Sequence, residues 1–173
     1  LGPAGVMVPD IESVDEARRA VDACTYPPQG QRGVAGYRAA DYGANLEEYV
    51  QSASEEVLTI LQVESERGVE NVQDIATVEG VDALFIGPVD LSASLGVFAE
   101  YGAPPVRDAV DRIVGVATEA SCPVGTLATT REQIETRHEW GVDYLAIGPD
   151  LGLLANCASE CLETYRSCTD RSE

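Results

Sequence analysis

Apolar runs of strand length alternate with helical stretches about five times along this chain. That order predicts an α/β fold, a parallel sheet with its helices outside. An internal echo points to a (β/α)8-type barrel: Gly80-Val81-Asp82-Ala83-Leu84-Phe85-Ile86-Gly87-Pro88 recurs as Gly141-Val142-Asp143-Tyr144-Leu145-Ala146-Ile147-Gly148-Pro149. At about 30 residues per βα unit the echo lies two units on, as expected where alternate strands share the layers of a barrel. A doubly wound sheet is the competing architecture. It would carry a Gly-rich phosphate turn after its first strand, and none is seen.

The first strand candidate is Gly5-Val6-Met7-Val8-Pro9. Ser13 then caps a helix, with Glu16 completing a capping box and Val14, Ala17, Ala20 and Val21 on the apolar side; it ends near Cys24. Tyr26 to Asn45 holds two Pro, four Gly and three Tyr, too turn-rich for one element and long for an idle loop, so a lid or active-site wall is expected as readily as a connector. Asn45 caps a helix through Glu56, with Leu46, Tyr49, Val50 and Ala53 inward. The strand Val57 to Val63 runs directly into Glu64, and Ser65 to Thr77 is predicted as one helix with Val69, Val72, Ile75 and Ala76 as its stripe. The next strand starts at Val81 and stops at Gly87-Pro88, with Asp90 just beyond. Pro104 and Pro105 open a helix to about Ala120, with Val106, Ala109, Val110, Ile113 and Val116 at helical spacing. Cys122 to Leu127 is a buried strand, Arg131 to Trp140 a helix, Tyr144 to Ile147 the last strand, and Leu151 to about Cys168 the terminal helix.

A chain of 173 residues with 45% hydrophobic content suits one globular domain with a sizeable core. Its apolar runs fall far short of the roughly 20 residues of a membrane span, and no signal peptide is visible. Asp and Glu number 30 against 11 basic residues, for a net charge of -19; every basic residue is Arg. Such charge repels phosphate backbones and anionic lipid, which argues against nucleic-acid and membrane binding. Spread over the helices, the acids suggest a solvated surface of the halophilic kind. With no Lys the chain cannot form a Schiff base on a carbonyl, so carbonyl chemistry must use a metal or acid–base groups. Cys24, Cys122, Cys157, Cys161 and Cys168 lack CxxC spacing and read as small apolar core or interface residues in a reducing cytoplasm, in preference to a soft-metal site.

Two strands therefore end in acids, and Glu64 and Asp90 are the candidate ligands of one hard divalent cation, Mg2+ or Mn2+, with water completing its shell. Such an ion polarises a carbonyl and stabilises an enolate. The backbone N–H groups of Val89 and Asp90, free at the strand end, are candidates to hold a substrate carboxylate.

The motifs L-Q-V-E-S at Leu61 to Ser65, E-G-V-D-A-L-F-I-G-P-V-D-L-S at Glu79 to Ser92, Y-P-P-Q-G-Q-R-G at Tyr26 to Gly33 and V-M-V-P at Val6 to Pro9 resemble the HpcH/HpaI aldolase family over nearly the whole chain. These are metal-dependent class II pyruvate aldolases of the 4-hydroxy-2-oxoheptanedioate and 2-keto-3-deoxy sugar-acid type. The resemblance implies a TIM barrel assembled as a hexamer. It implies Glu64 and Asp90 as metal ligands (Mg2+ or Mn2+, with Co2+ possible), Gln62 lining the metal site, and Gly87, Pro88 and Val89 against the pyruvate carboxylate. It places Leu127 beside the aldehyde-side pocket.

By that resemblance the chain starts at about strand 4 and supplies strands 4 to 8, an expectation consistent with Leu1 at its head and a core strand at once. The family's catalytic His, the acid that orients it and the pyruvate-binding Arg belong to the preceding strands, so no catalytic residue is assigned here. His138, the one His, falls on a helix outside the barrel and reads as a surface or interhelix residue. The expected reaction is reversible cleavage of a 4-hydroxy-2-oxo acid to pyruvate and an aldehyde, with this chain alone inactive. A CoA-thioester lyase of the malyl or citryl type is the alternative, disfavoured by the scarcity of basic residues, and a non-catalytic remnant of the fold is another.

Overall fold

The computed structural model describes residues 2–169. Five parallel strands, β1 (Gly5–Val8), β2 (Leu58–Val63), β3 (Ala83–Ile86), β4 (Val124–Ala128) and β5 (Tyr144–Ile147), lie side by side in chain order. A doubly wound sheet reverses its strand order at a switch point, whereas this sheet winds in one direction throughout, as one arc of a barrel does.

The helices are α1 (Val14–Cys24), α2 (Leu46–Glu56), α3 (Glu66–Glu70), α4 (Val72–Ala76), α5 (Pro88–Ser94), α6 (Pro104–Ala120), α7 (Arg131–His138) and α8 (Asp150–Thr169). The largest packing layer sets one face of the sheet against α1, α4 and α6. Alternate residues Leu61, Val63, Leu84, Ile86 and Val124 there meet Ala17, Val72, Ile75, Val106, Val110 and Ile113 in one core. In α6 the buried set Val106, Ala109, Val110, Ile113 and Ala117 follows the helical period, and Pro104 with Pro105 starts the helix where no N–H is needed. The opposite face is thinly covered. Pairing register aligns Gln62, Phe85, Gly125 and Tyr144 in one row across it, and Met7 and Leu58 stay 39% and 47% exposed.

The internal echo has a structural cause at the N-terminal edge of the sheet. Asp82 accepts the Thr59 N–H at 2.7 Å and returns its own N–H to the Thr59 carbonyl at 3.0 Å. Asp143 does the same with Val124, at 2.9 and 2.7 Å. Each Gly-Val-Asp thus ties a new strand to the start of the one before it.

Several expectations are corrected. Ser65 to Thr77 is two short helices, because Asn71 leaves helical geometry (φ -97°, ψ 3°) and its side chain donates to the Glu12 carbonyl at 2.8 Å. Asn45 holds the N-cap position of α2 without a side-chain cap bond, and β2 begins at Leu58 because the Val57 N–H still bonds to Ala53. Trp140 lies beyond the end of α7 and is buried. Residues 26–45, which include a 3-10 turn at Arg38–Gly43, form no wall around Glu64 and Asp90. Helix α1 first returns the chain to the N-terminal edge, and the loop lies there, Gly2 packing on Ala39. Arg32 anchors it, its guanidinium 4.4 Å from the Tyr26 ring and donating to the Tyr49 hydroxyl at 3.1 Å. Of the cysteines only Cys122 is buried; Cys157, Cys161 and Cys168 stand exposed on α8, so core packing does not account for them, and all five thiols are free. His138 is exposed on α7. No described helix is long and apolar enough to cross a membrane.

Candidate metal and 2-oxo acid site

Parallel strands carry every C-terminal end to one edge of the sheet, so the acids that follow β2 and β3 are brought together there. Glu64 follows Val63 directly and is only 8% exposed. One of its oxygens, Oε1, accepts the Asp10 N–H at 2.9 Å. The other, Oε2, accepts the Gln62 side-chain amide. Burial, the largest cause, pushes the Glu64 carboxyl above the usual carboxylate range; the two hydrogen bonds pull it down, and the nearby charges of Asp90 and Asp10 push it up again.

Gly87 closes the other side. A Cβ there would lie 2.7 Å from Gln62 Nε2 and closer still to Glu64 Oε2, so only glycine leaves Glu64 its place. Pro88 then starts α5 at its first position, and the first intrahelical bond is Leu91 N–H to the Gly87 carbonyl at 2.9 Å. The N–H groups of Val89 and Asp90 precede that bond and stay free of helical partners. Asp90, in the first turn, is exposed, Val89 is 40% exposed, and Pro88 is buried. Ser92 locks the turn, donating to the Val89 carbonyl at 2.8 Å and accepting the Ala99 N–H at 3.0 Å.

Glu64, Gln62, Gly87, Pro88, Val89 and Asp90 therefore share one edge, and Gln62 is joined to Glu64 directly. Leu127, half-buried on β4 two strands from Glu64, pairs in register with Ala146; nothing joins it to the acids. Among the described residues no group of three or more His, Cys, Asp or Glu is gathered to hold a metal, and the ion pairs present involve neither Glu64 nor Asp90. A buried carboxylate with no cationic partner beside a second carboxylate is an acceptor-only oxygen set. It fits a hard divalent cation that keeps water or substrate oxygens in its remaining positions.

Two features escaped the sequence reading. The short helix α5 was not expected, although Pro88 ahead of Leu91 was its signal. Asp10 repeats the pattern of Glu64 and Asp90, an acid just beyond a strand-length run, and that repeat is its signal in the sequence.

Comparison with known proteins shows the family of the chain. The HpcH/HpaI aldolase/citrate lyase family matches residues 1–157. The chain is 39% identical over 169 residues to the hydroxypyruvate/pyruvate aldolase of Delftia acidovorans, covering 96% of this chain and 62% of that protein. It is 33% identical over 166 residues to a 5-keto-4-deoxy-D-glucarate aldolase of Escherichia coli, covering 96% and 65%. Among solved structures, an HpcH/HpaI aldolase/citrate lyase family protein from Burkholderia cenocepacia superposes with a TM-score of 0.85 at 37% identity, over 95% of this chain and 66% of that one. An HpcH/HpaI aldolase from Desulfitobacterium hafniense gives 0.81 at 29% identity, over 95% and 64%. The chain thus spans somewhat less than two thirds of the length of these curated relatives. Its singly wound sheet, its paired strand-end acids and a match over most of its length lead to one assignment: the chain belongs to the HpcH/HpaI aldolase/citrate lyase family.

Proposed function

We propose that this chain is the metal- and 2-oxo-acid-binding portion of a divalent-metal-dependent aldolase, the C-terminal part of a (β/α)8 barrel in a single domain. The observation that carries this reading is the anchored, buried Glu64 beside Asp90 at the C-terminal edge of the sheet. Glu64 and Asp90 would hold the cation, Mg2+ or Mn2+, and when bound it supplies Lewis-acid polarisation of the 2-oxo group. The free N–H groups of Val89 and Asp90, with Gly87 and Pro88 shaping the approach, donate to the carboxylate of a 2-oxo acid. Gln62 fixes Glu64 by its amide and leaves its own carbonyl oxygen for a water or substrate hydroxyl. Leu127 contributes an apolar wall on the aldehyde side.

In the reaction, the C3–C4 bond of a 4-hydroxy-2-oxo acid breaks, the hydroxyl proton leaves for a base, and C3 of the pyruvate product gains a proton. His138 does not fit that base, being exposed on α7, away from the strand ends. The 173-residue chain alone should therefore bind metal and pyruvate without turning over. Free thiols and the acidic surface suit a salt-adapted, reducing cytoplasm. The exposed Leu151, Leu154 and Tyr165 of α8 suit a homo-oligomer.

The test measures pyruvate released from a panel of 4-hydroxy-2-oxo acids, in molar salt with Mg2+ or Mn2+, by the longest reading-frame product containing this chain. Activity lost on chelation and in Glu64→Gln and Asp90→Asn supports the proposal. Activity untouched by both substitutions overturns it.

A further inference from the structure

We propose that Asp10 is a positioning residue for Glu64, acting through its main chain and not through its carboxylate. The inference rests on the cation site proposed above and adds a residue to it. Asp10 is one of a few non-glycine residues with a left-handed backbone, at φ 57°. That conformation is disfavoured for an L-residue and persists only where the surroundings over-determine it. They do so here. Ile11 is buried in the core and its N–H bonds to the Gln62 carbonyl at 3.2 Å, and the Glu12 carbonyl accepts from Asn71 at 2.8 Å. Gly68 packs so closely on the Ile11 carbonyl that a Cβ would come within 2.9 Å.

What the strained residue accomplishes is specific. The turn directs the Asp10 N–H at Glu64 Oε1 at 2.9 Å, across 54 residues of sequence, while Gln62 takes Oε2. Each carboxylate oxygen thereby has one donor that fixes its plane, and each keeps a lone pair for a cation. An unbound carboxylate on a flexible side chain would have to lose rotamer freedom on binding metal. This one has already lost it. The Asp10 side chain is exposed and it is the main-chain N–H that meets Glu64, so the requirement falls on backbone conformation. Asp and Asn tolerate the left-handed region and Gly prefers it, whereas a β-branched residue resists it.

The experiment measures Mn2+ affinity of the longest reading-frame product containing this chain by electron paramagnetic resonance, with melting followed in parallel. Asp10→Gly and Asp10→Asn should bind Mn2+ as wild type does. Asp10→Val should bind roughly 10- to 100-fold more weakly, the usual effect of removing an outer-shell partner, with the Glu64→Gln variant as the zero. An unchanged affinity in Asp10→Val overturns the proposal, and so does a loss in Asp10→Gly equal to that in Asp10→Val, which would make the carboxylate the active group. A second readout needs neither metal nor the valine variant: the Asp10 amide proton resonance of the metal-free chain should lie downfield and move upfield in Glu64→Ala. No movement overturns the proposal. Should wild type bind no Mn2+, the cation site itself fails and the amide resonance alone decides the role of Asp10.

Discussion

Tyr144 occupies the space that Gly125 leaves. The two are register partners on β5 and β4, and a Cβ on Gly125 would collide with the Tyr144 ring. Across that gap the phenol reaches a third strand and donates to the Leu84 carbonyl at 2.8 Å, so one side chain staples β5 to β3 over β4. Gly125→Ala should destabilise by about 1–3 kcal/mol through overpacking, and Tyr144→Phe by about 1 kcal/mol through the lost hydrogen bond. Urea unfolding followed by circular dichroism measures both.

The same staple sets an alkaline limit. Burial pushes the Tyr144 phenol up to about 12 from an ordinary value of 10.0. The folded state therefore holds this proton more tightly than the unfolded chain does. The stability it contributes is complete below pH 10 and is lost as pH rises toward 12. Titration of the seven tyrosines by ultraviolet absorbance should show one late phenol that is missing in Tyr144→Phe, and that variant should lose less stability between pH 10 and 12.

Glu64 has the same sign in another window. Its carboxyl is raised by burial first and by Asp90 and Asp10 next, so the metal-free protein loses stability as pH rises from the ordinary carboxylate value of 4.5 through the raised one. Glu64→Gln should remove that loss and melt no lower than wild type at neutral pH without metal. Wild type alone should gain about 2.7 kcal/mol at a Mn2+ concentration 100 times its dissociation constant. Differential scanning calorimetry with and without Mn2+ reads both effects.

Asp82 and Asp143 should prove equivalent. Each satisfies the buried N–H of a neighbouring strand, that of Thr59 or Val124. Asp82→Ala and Asp143→Ala should each cost about 1–3 kcal/mol, the penalty of an orphaned buried donor, in urea unfolding.

Salt should stabilise the protein. The net charge is -19, and the ion pairs found among the described residues, Arg18–Asp15, Arg19–Glu16 and Arg67–Glu12, lie at 3.7–3.8 Å on the surface, where such pairs contribute little. Repulsion among the remaining acids is screened within a Debye length of about 3 Å at 1 M salt. The melting temperature should climb steadily from low to molar KCl. A flat profile contradicts a salt-adapted surface.

Much of the site was readable from local pattern. Val57 to Val63 running into Glu64, and Val81 to Ile86 stopping at Gly87-Pro88 before Asp90, show two acids leaving two strands, because strand-length apolar runs and Gly-Pro stops are short-range signals. Asn71 was harder, since the helical stripe of Val69, Val72 and Ile75 continues through the break, and the break itself depends on the Glu12 carbonyl. Arg137 gave no local sign at all. It is 2% exposed, lying 3.9 Å from the Trp140 ring and 4.5 Å from the Tyr101 ring, a burial that a charged residue on a polar helix does not announce.

Periodicity and turn chemistry act over a few residues, and they suffice for the order of strands and helices, the parallel sheet and the two strand-end acids. Packing between distant segments is a different matter. The side of the sheet on which Tyr26 to Asn45 lies follows from the direction of α1, the exposure of the α8 thiols from what that helix touches, and the role of Asp10 from a hydrogen bond that spans 54 residues. A contact of that range depends on how the chain closes on itself, and the residues at its two ends carry no mark of each other.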